Sequence, residues 1–236
     1  MQIRSGGQNI ISRTPINRKT MNNLEKIYKE HGDITDFSKA YFLYITELLN
    51  AFDHSSIGAF MKVLEESRLA HKTIFIAGNG GSASTASHMG TDFGAAVFKA
   101  STSEFPFRVQ PLTDHISMVT AIGNDFGYEH VFTKQLEVQY RDGDVLVVIS
   151  ASGDSPNVVN AANWTRARGG KVLGLLGFDG GKLKKICDVC IVVNTPKGEY
   201  GPVEDIHMVL DHMFTNWMYF MFANKRNLPK NGIESK

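Results

Sequence analysis

The sequence predicts an α/β chain: a doubly wound, five-stranded parallel sheet with helices at its N- and C-terminal ends. Three observations lead there. Five short apolar runs, at 73–77, 107–112, 145–149, 172–176 and 189–193, alternate with helical or glycine-marked segments. Runs such as VLVVI and VLGLL are apolar throughout, as central strands covered on both faces must be. Before the first run and after the last, apolar residues recur at helical spacing.

Residues 1–20 are polar and rich in Gly, Asn and Arg, so a disordered arm is expected. Three helical stretches follow. The second, DFSKAYFLYITELLNAFDH, puts Phe37, Tyr41, Phe42, Ile45, Leu48, Leu49 and Phe52 on a common face. Ser55 and Ser56 are the expected caps of the third, which would bury Ile57, Phe60, Met61, Leu64 and, at its end, Leu69. The alternating strands and helices come next. A last long helix should begin near Pro202 and carry Met208, Leu210, Met213, Phe214, Trp217 and Phe220. With no repeat or linker in view, one domain over 21–223 lies between the arm and a polar tail at 224–236.

With 25 basic and 24 acidic residues, the chain lacks the charge excess of a nucleic-acid or membrane-surface binder. No apolar run approaches the ~18 residues of a membrane span. The first residues carry Arg4, Arg13, Arg18 and Lys19 but no apolar signal core, so a cytoplasmic protein is expected. Both cysteines, Cys187 and Cys190, fall in ICDVCIVV. No second ligand pair accompanies them, and Cys190 opens a strand-like run rather than a helix, so reduced structural thiols are expected.

In such a sheet, ligands collect beyond the carboxyl ends of the strands. The first run leads directly into GNGGSASTASHM. No lysine-hydroxyl pair ends the glycine turn, which excludes a nucleotide-triphosphate loop of the Walker type. Gly78, Gly80 and Ala83 do satisfy a dinucleotide fingerprint. The ribose-binding acid is missing, because Asp114 lies about thirty residues beyond the glycines, not about twenty. The third run leads into ISASGDSPNVV, where Ser150, Ser152 and Ser155 precede a helix with Pro156 in its first turn. Capping accounts for one serine; three hydroxyls with free backbone N–H groups make a neutral phosphate cradle. A phosphorylated small molecule, with no nucleotide cofactor, suits both turns.

The two loops together resemble the sugar isomerase (SIS) domain family, in its phosphoheptose isomerase branch. The matching stretches are GNGGSA at 78–83, His88, AIGNDFGYEHVFTKQ at 121–135, GDVLVVISASGDSPNV at 143–158, GLLGFDGGKL at 174–183, and Glu204 with His212. The resemblance implies an aldose–ketose isomerase of sedoheptulose 7-phosphate or a related ketose phosphate, serving surface-polysaccharide precursors. It implies substrate contacts from Asn79, Gly80, Gly81, Ser82, Asn124, Asp125, Ser150, Ala151, Ser152, Ser155 and Glu204. It also implies zinc on His88, Asp92, Glu204 and His212, and a homotetramer with sites built across subunit interfaces. Three positions depart from the family pattern: Asp92 replaces a catalytic glutamate, Glu204 a glutamine, and Ala151 the central hydroxyl of the serine loop.

His88 and Asp92, four apart, share a helix face; alone, that spacing describes a hydrogen-bonded pair as readily as a metal site. An enediol mechanism needs a carboxylate base and a proton-transfer partner, for which Asp92 and His212 are the candidates. Gly90 and Gly94 flank Asp92 and would leave room for substrate. His207 and Asp211 are expected to serve packing or a salt bridge. The competing function is a non-catalytic phosphosugar sensor or scaffold of the same fold; a nicotinamide oxidoreductase is disfavoured by the missing ribose acid.

Overall fold

The computed structural model describes residues 21–100 and 106–226. The expected arm at 1–20 lies outside them, as does the tail beyond 226. Five parallel strands, β1 (Thr73–Gly78), β2 (Arg108–Pro111), β3 (Val145–Ser150), β4 (Lys171–Gly177) and β5 (Val189–Val193), form one sheet in the order β2-β1-β3-β4-β5. The chain therefore reverses direction across the sheet between β1 and β3. That is the switch point at which doubly wound sheets open a crevice.

Helices cover both faces, as the uninterrupted apolar strands require. One layer contains α3 (His54–Leu69), α4 (Gly81–Thr91), α5 (Val97–Ala100) and α10 (Tyr200–Arg226). Phe60, Met89, Phe93, Leu210 and Phe214 pack there against Ile74, Ile76, Val147 and Leu175. The opposite layer contains α6 (Ile116–Phe126), α7 (Thr133–Gln139), α8 (Pro156–Arg166) and the short α9 (Leu183–Ile186). Ile122, Leu136, Val158 and Ala161 meet Phe75, Leu146 and Val148 on that side. Outside the first layer lie α1 (Asn23–Glu30) and α2 (Ile34–Asn50). No described helix is long and apolar enough to cross a membrane.

Several local expectations need correction. Helix α3 is capped by Asp53, whose Oδ1 accepts from the Ser55 N–H at 2.9 Å, and not by Ser55 or Ser56. A carboxylate at the N-cap position satisfies an orphan N–H and complements the helix dipole. Leu69, at the solvent end of that helix, is exposed. The face of α2 is only partly buried: Ile45, Leu48, Leu49 and Phe52 pack inward, while Phe42 is exposed. Helix α10 starts at Tyr200, close to the start expected near Pro202, and runs to Arg226. Nothing in the sequence between 223 and 226 breaks a helix; the next proline is Pro229. Cys187 and Cys190 are free thiols beside Gly174, and burial pushes the Cys187 thiol up to about 12.

Candidate active site

At the end of β1 the chain turns straight into α4. A Cβ on Gly78 would lie 2.6 Å from the Ser82 carbonyl oxygen, so only glycine permits the turn. Gly80, the N-cap of α4, adopts φ 54 without side-chain strain. At the end of β3, Ser150 Oγ accepts from the Gly153 N–H at 3.1 Å, and Ser152 Oγ from the Asp154 N–H at 3.3 Å. Both hydroxyl protons remain available to a ligand. Ser155 is the N-cap of α8, with Pro156 behind it, but its side chain makes no capping bond.

These turns enclose a cavity of ≈ 140 Å³, lined by Asn79 and Ser82 from the first turn and by Ser150, Ala151, Ser152 and Ser155 from the second. Tyr200 and Glu204, from the first two turns of α10, complete the wall. The N-termini of α4, α8 and α10 thus converge on one small space, and no Lys or Arg is among the described residues lining it. Asn79 and Asn157 exchange two amide hydrogen bonds of 2.9 Å, and Tyr128 donates to Asn79 Oδ1 at 3.0 Å. Asn79 is thereby fixed before any ligand arrives. Asn157 and Tyr128 were not singled out by sequence, since an asparagine after a proline and a tyrosine in a turn have many ordinary uses.

Further along, α4 and α10 meet again. His88 and His212 face each other with Nε2 atoms 3.1 Å apart, and Asp92 Oδ2 lies 3.7 Å from His88 Nε2. One ligand atom from each of the three side chains falls within 4.8 Å of the others. Two atoms bound tetrahedrally to zinc at ~2.0–2.1 Å lie ~3.4 Å apart, and two of the spacings here, 3.1 and 3.7 Å, are close to that. Asp92 begins a π-helical turn, Asp92–Ala96, in which the Val97 N–H reaches back to the Asp92 carbonyl. Such single widened turns are frequent at functional sites.

The sequence of this chain and its fold both match known proteins. A model of the SIS domain covers residues 40–177. The chain belongs to the SIS domain family. Within that family it sits with the phosphoheptose isomerases. It is 36% identical over 151 residues to the phosphoheptose isomerase of Rhodospirillum rubrum, a match covering 64% of this chain and 78% of that one. It is 41% identical over 142 residues to the enzyme of that name from Nitratiruptor sp., covering 60% and 73%. The solved phosphoheptose isomerase GmhA of Neisseria gonorrhoeae superposes with a TM-score of 0.68 at 29% identity, over 79% of this chain and 98% of that structure.

Not every residue expected from the SIS resemblance joins these two clusters. Glu204 is not in the histidine–aspartate triad; it lines the serine-loop cavity and points at the start of α4. A Cβ on Gly81 would meet its Oε2 at 2.2 Å. Eight residues separate Glu204 from His212 by about 12 Å along the helix, although they differ by under a quarter turn around it. Burial, and then Asp205, hold the Glu204 carboxyl above the usual range. Asn124 and Asp125 are exposed near the end of α6, bonded to one another, and do not line the cavity. Gly90 serves packing, because Pro111 occupies the space a side chain would need; Gly94 faces open space.

His207 and Asp211 form no salt bridge. Both are fully buried, and neither Asp211 oxygen has a partner among the described residues. His207 Nε2 faces the Leu176 carbonyl at 3.2 Å, and burial pushes its pKa down to about 4. Burial, with the nearby Asp92 charge, pushes Asp211 up to about 7.

Proposed function

We propose that the chain is an aldose–ketose isomerase that interconverts sedoheptulose 7-phosphate and D-glycero-D-manno-heptose 7-phosphate. The observation that carries this reading is the pairing of two clusters on the parallel helices α4 and α10. A hydroxyl-lined cavity with the Glu204 carboxyl in its wall sits at their N-terminal ends, and the His88–Asp92–His212 triad lies about two turns on. The interval, roughly 10–12 Å, accommodates an extended chain from phosphorus to the first carbon of a heptose 7-phosphate, at ~1.2 Å per bond.

In this reading the serine hydroxyls and the amide groups at the start of α8 hold the phosphate. Asp92 removes the proton from C1 of the ketose, leaving an enediol, and returns a proton to C2. His212 carries the proton from the oxygen on C1 to that on C2, so that the carbonyl moves with no net gain or loss of atoms. Asp92 is one carbon shorter than the family glutamate, so the substrate lies closer to its helix. His88, one Asp92 oxygen and one His212 nitrogen would hold a zinc ion, which would polarise the sugar oxygens as a Lewis acid and leave the second atom of each catalytic side chain for its proton step. We also propose a homo-oligomer, a tetramer by family pattern. The support is the exposed apolar set on α2 and α10, including Phe42, Leu43, Trp217 and Phe220. Asn124 and Asp125 would then serve a neighbouring copy.

Incubation with sedoheptulose 7-phosphate in deuterated water, with and without zinc, tests the reaction. Product formation with deuterium at the carbon beside the carbonyl is expected. Binding without exchange would replace the enzyme with a phosphosugar sensor.

A further inference from the structure

We propose that Tyr200 is a substrate-binding residue whose ring forms the wall against which the phosphate-bearing end of the sugar's carbon chain packs. The assignment rests on the phosphosugar reading of the cavity. Three observations carry it. Tyr200 lines the cavity beside the serine loop, one helical turn before Glu204 and on the same side of α10. Its ring is seated from behind: Phe178, itself only 3% exposed, meets it edge-on, with centroids 5.2 Å apart at 79°. Phe178 adopts φ 54, a conformation that costs a non-glycine residue free energy and persists only where its surroundings impose it.

The backbone under Tyr200 is fixed as well. The preceding Glu199 is fully buried, accepting from the Asn23 N–H at 2.6 Å and from the Tyr44 hydroxyl at 2.5 Å. Helices α1 and α2 thus clamp the first turn of α10. Tyr41 and Tyr44 each spend their hydroxyls on such clamps, whereas the Tyr200 hydroxyl bonds no described residue. Tyr200 is 51% exposed although its seat, Phe178, is buried. A tyrosine held this way presents an apolar face to C–H groups and a free donor to a sugar hydroxyl, while the serines take the phosphate.

The test is equilibrium binding of sedoheptulose 7-phosphate and of inorganic phosphate to the full chain and its variants. Tyr200→Ala should weaken the sugar phosphate about tenfold, the loss of one ring contact and one hydrogen bond, and leave inorganic phosphate within about twofold. Tyr200→Phe, which keeps the ring, should recover most of the loss. Equal weakening of both ligands by Tyr200→Ala would make the tyrosine a support of the phosphate cradle and overturn the assignment. Unchanged binding of both would overturn it too. Because the readout is binding, a wild type that binds yet does not turn over would sink the isomerase reading and leave the tyrosine assignment standing.

Discussion

The two ends of the α4–α10 pair are built in opposite ways. The cavity end is made of backbone turns, neutral hydroxyls and an asparagine pair, with Ser82, Ser150 and Asn157 buried. Its geometry is set by glycine turns and strand ends. The triad end is made of ionisable side chains, with His88 and His212 exposed and Asp92 half-buried. In the proposed function, the first end receives the phosphate and the second carries the proton transfers. The contrast implies that binding and chemistry are separable by mutation, and each prediction below either breaks that separation or sharpens it.

The largest effect belongs to the triad. Asp92→Asn and His212→Ala should each lower kcat by ~10²-fold or more, the scale of losing a general acid–base group. Inorganic phosphate affinity should survive in both. Steady-state kinetics beside calorimetry checks this, and a parallel loss of phosphate binding would break the division between the ends.

Metal tests the triad end alone. Zinc at a hundred times its Kd should stabilise the fold by ~2.7 kcal/mol in thermal melts, and His88→Ala should abolish the gain. Glu204→Gln should leave it intact, since Glu204 belongs to the other cluster. A gain that disappears in Glu204→Gln would join the two ends.

The buried face of α10 gives a pH signature. His207 titrates near 6.5 when unfolded and near 4 when folded, so the native state binds fewer protons between those values. Its contribution is fully present above pH 6.5 and is lost as pH falls toward 4. Asp211, pushed up to about 7, works with the opposite sign and masks the trend in the wild type. The stability difference between wild type and His207→Gln cancels the Asp211 part. That difference should shrink by about 2 kcal/mol from pH 7 to pH 5, in urea unfolding. A constant difference would mean that His207 binds its proton equally well folded and unfolded, so that burial imposes no penalty on its charge.

The smallest effect is expected at the cavity. Ser152→Ala should weaken phosphosugar binding by about 1–2 kcal/mol, the cost of one hydrogen bond to a charged group. It should leave the zinc-induced stabilisation unchanged. Calorimetry showing full affinity would remove the serine loop from the ligand.

The central strands were legible because β3 and β4 are dominated by apolar residues, whereas the edge strand β2 is the polar RVQP; the cavity was legible because its glycines and serines stand where strands stop. Two features lie beyond the sequence pattern. The SIS resemblance implies Glu204 beside His212 on a metal, whereas Glu204 lines the cavity, about 12 Å back along α10. His207 and Asp211 are buried, in keeping with the packing expected of them, but the depth of that burial is not legible, because a helix 27 residues long passes from surface to core and back within one sequence pattern. The Asn79–Asn157 pair and the Tyr200 wall depend on contacts between segments far apart in the chain. Spacing along one segment carries no trace of those.

Three helix N-termini converge on a cavity that has no cationic side chain among its described lining. Each such terminus carries about half a positive charge, and its influence fades within a turn. The chain as a whole has a formal net charge of +1, so little long-range field draws an anion in. Capture of a phosphate ester here is therefore a short-range event inside the ~8 Å screening distance of physiological salt. Rising ionic strength should slow association only slightly. Free sulfate or phosphate in the medium, which offers the same oxyanion, is then a more effective antagonist than salt itself.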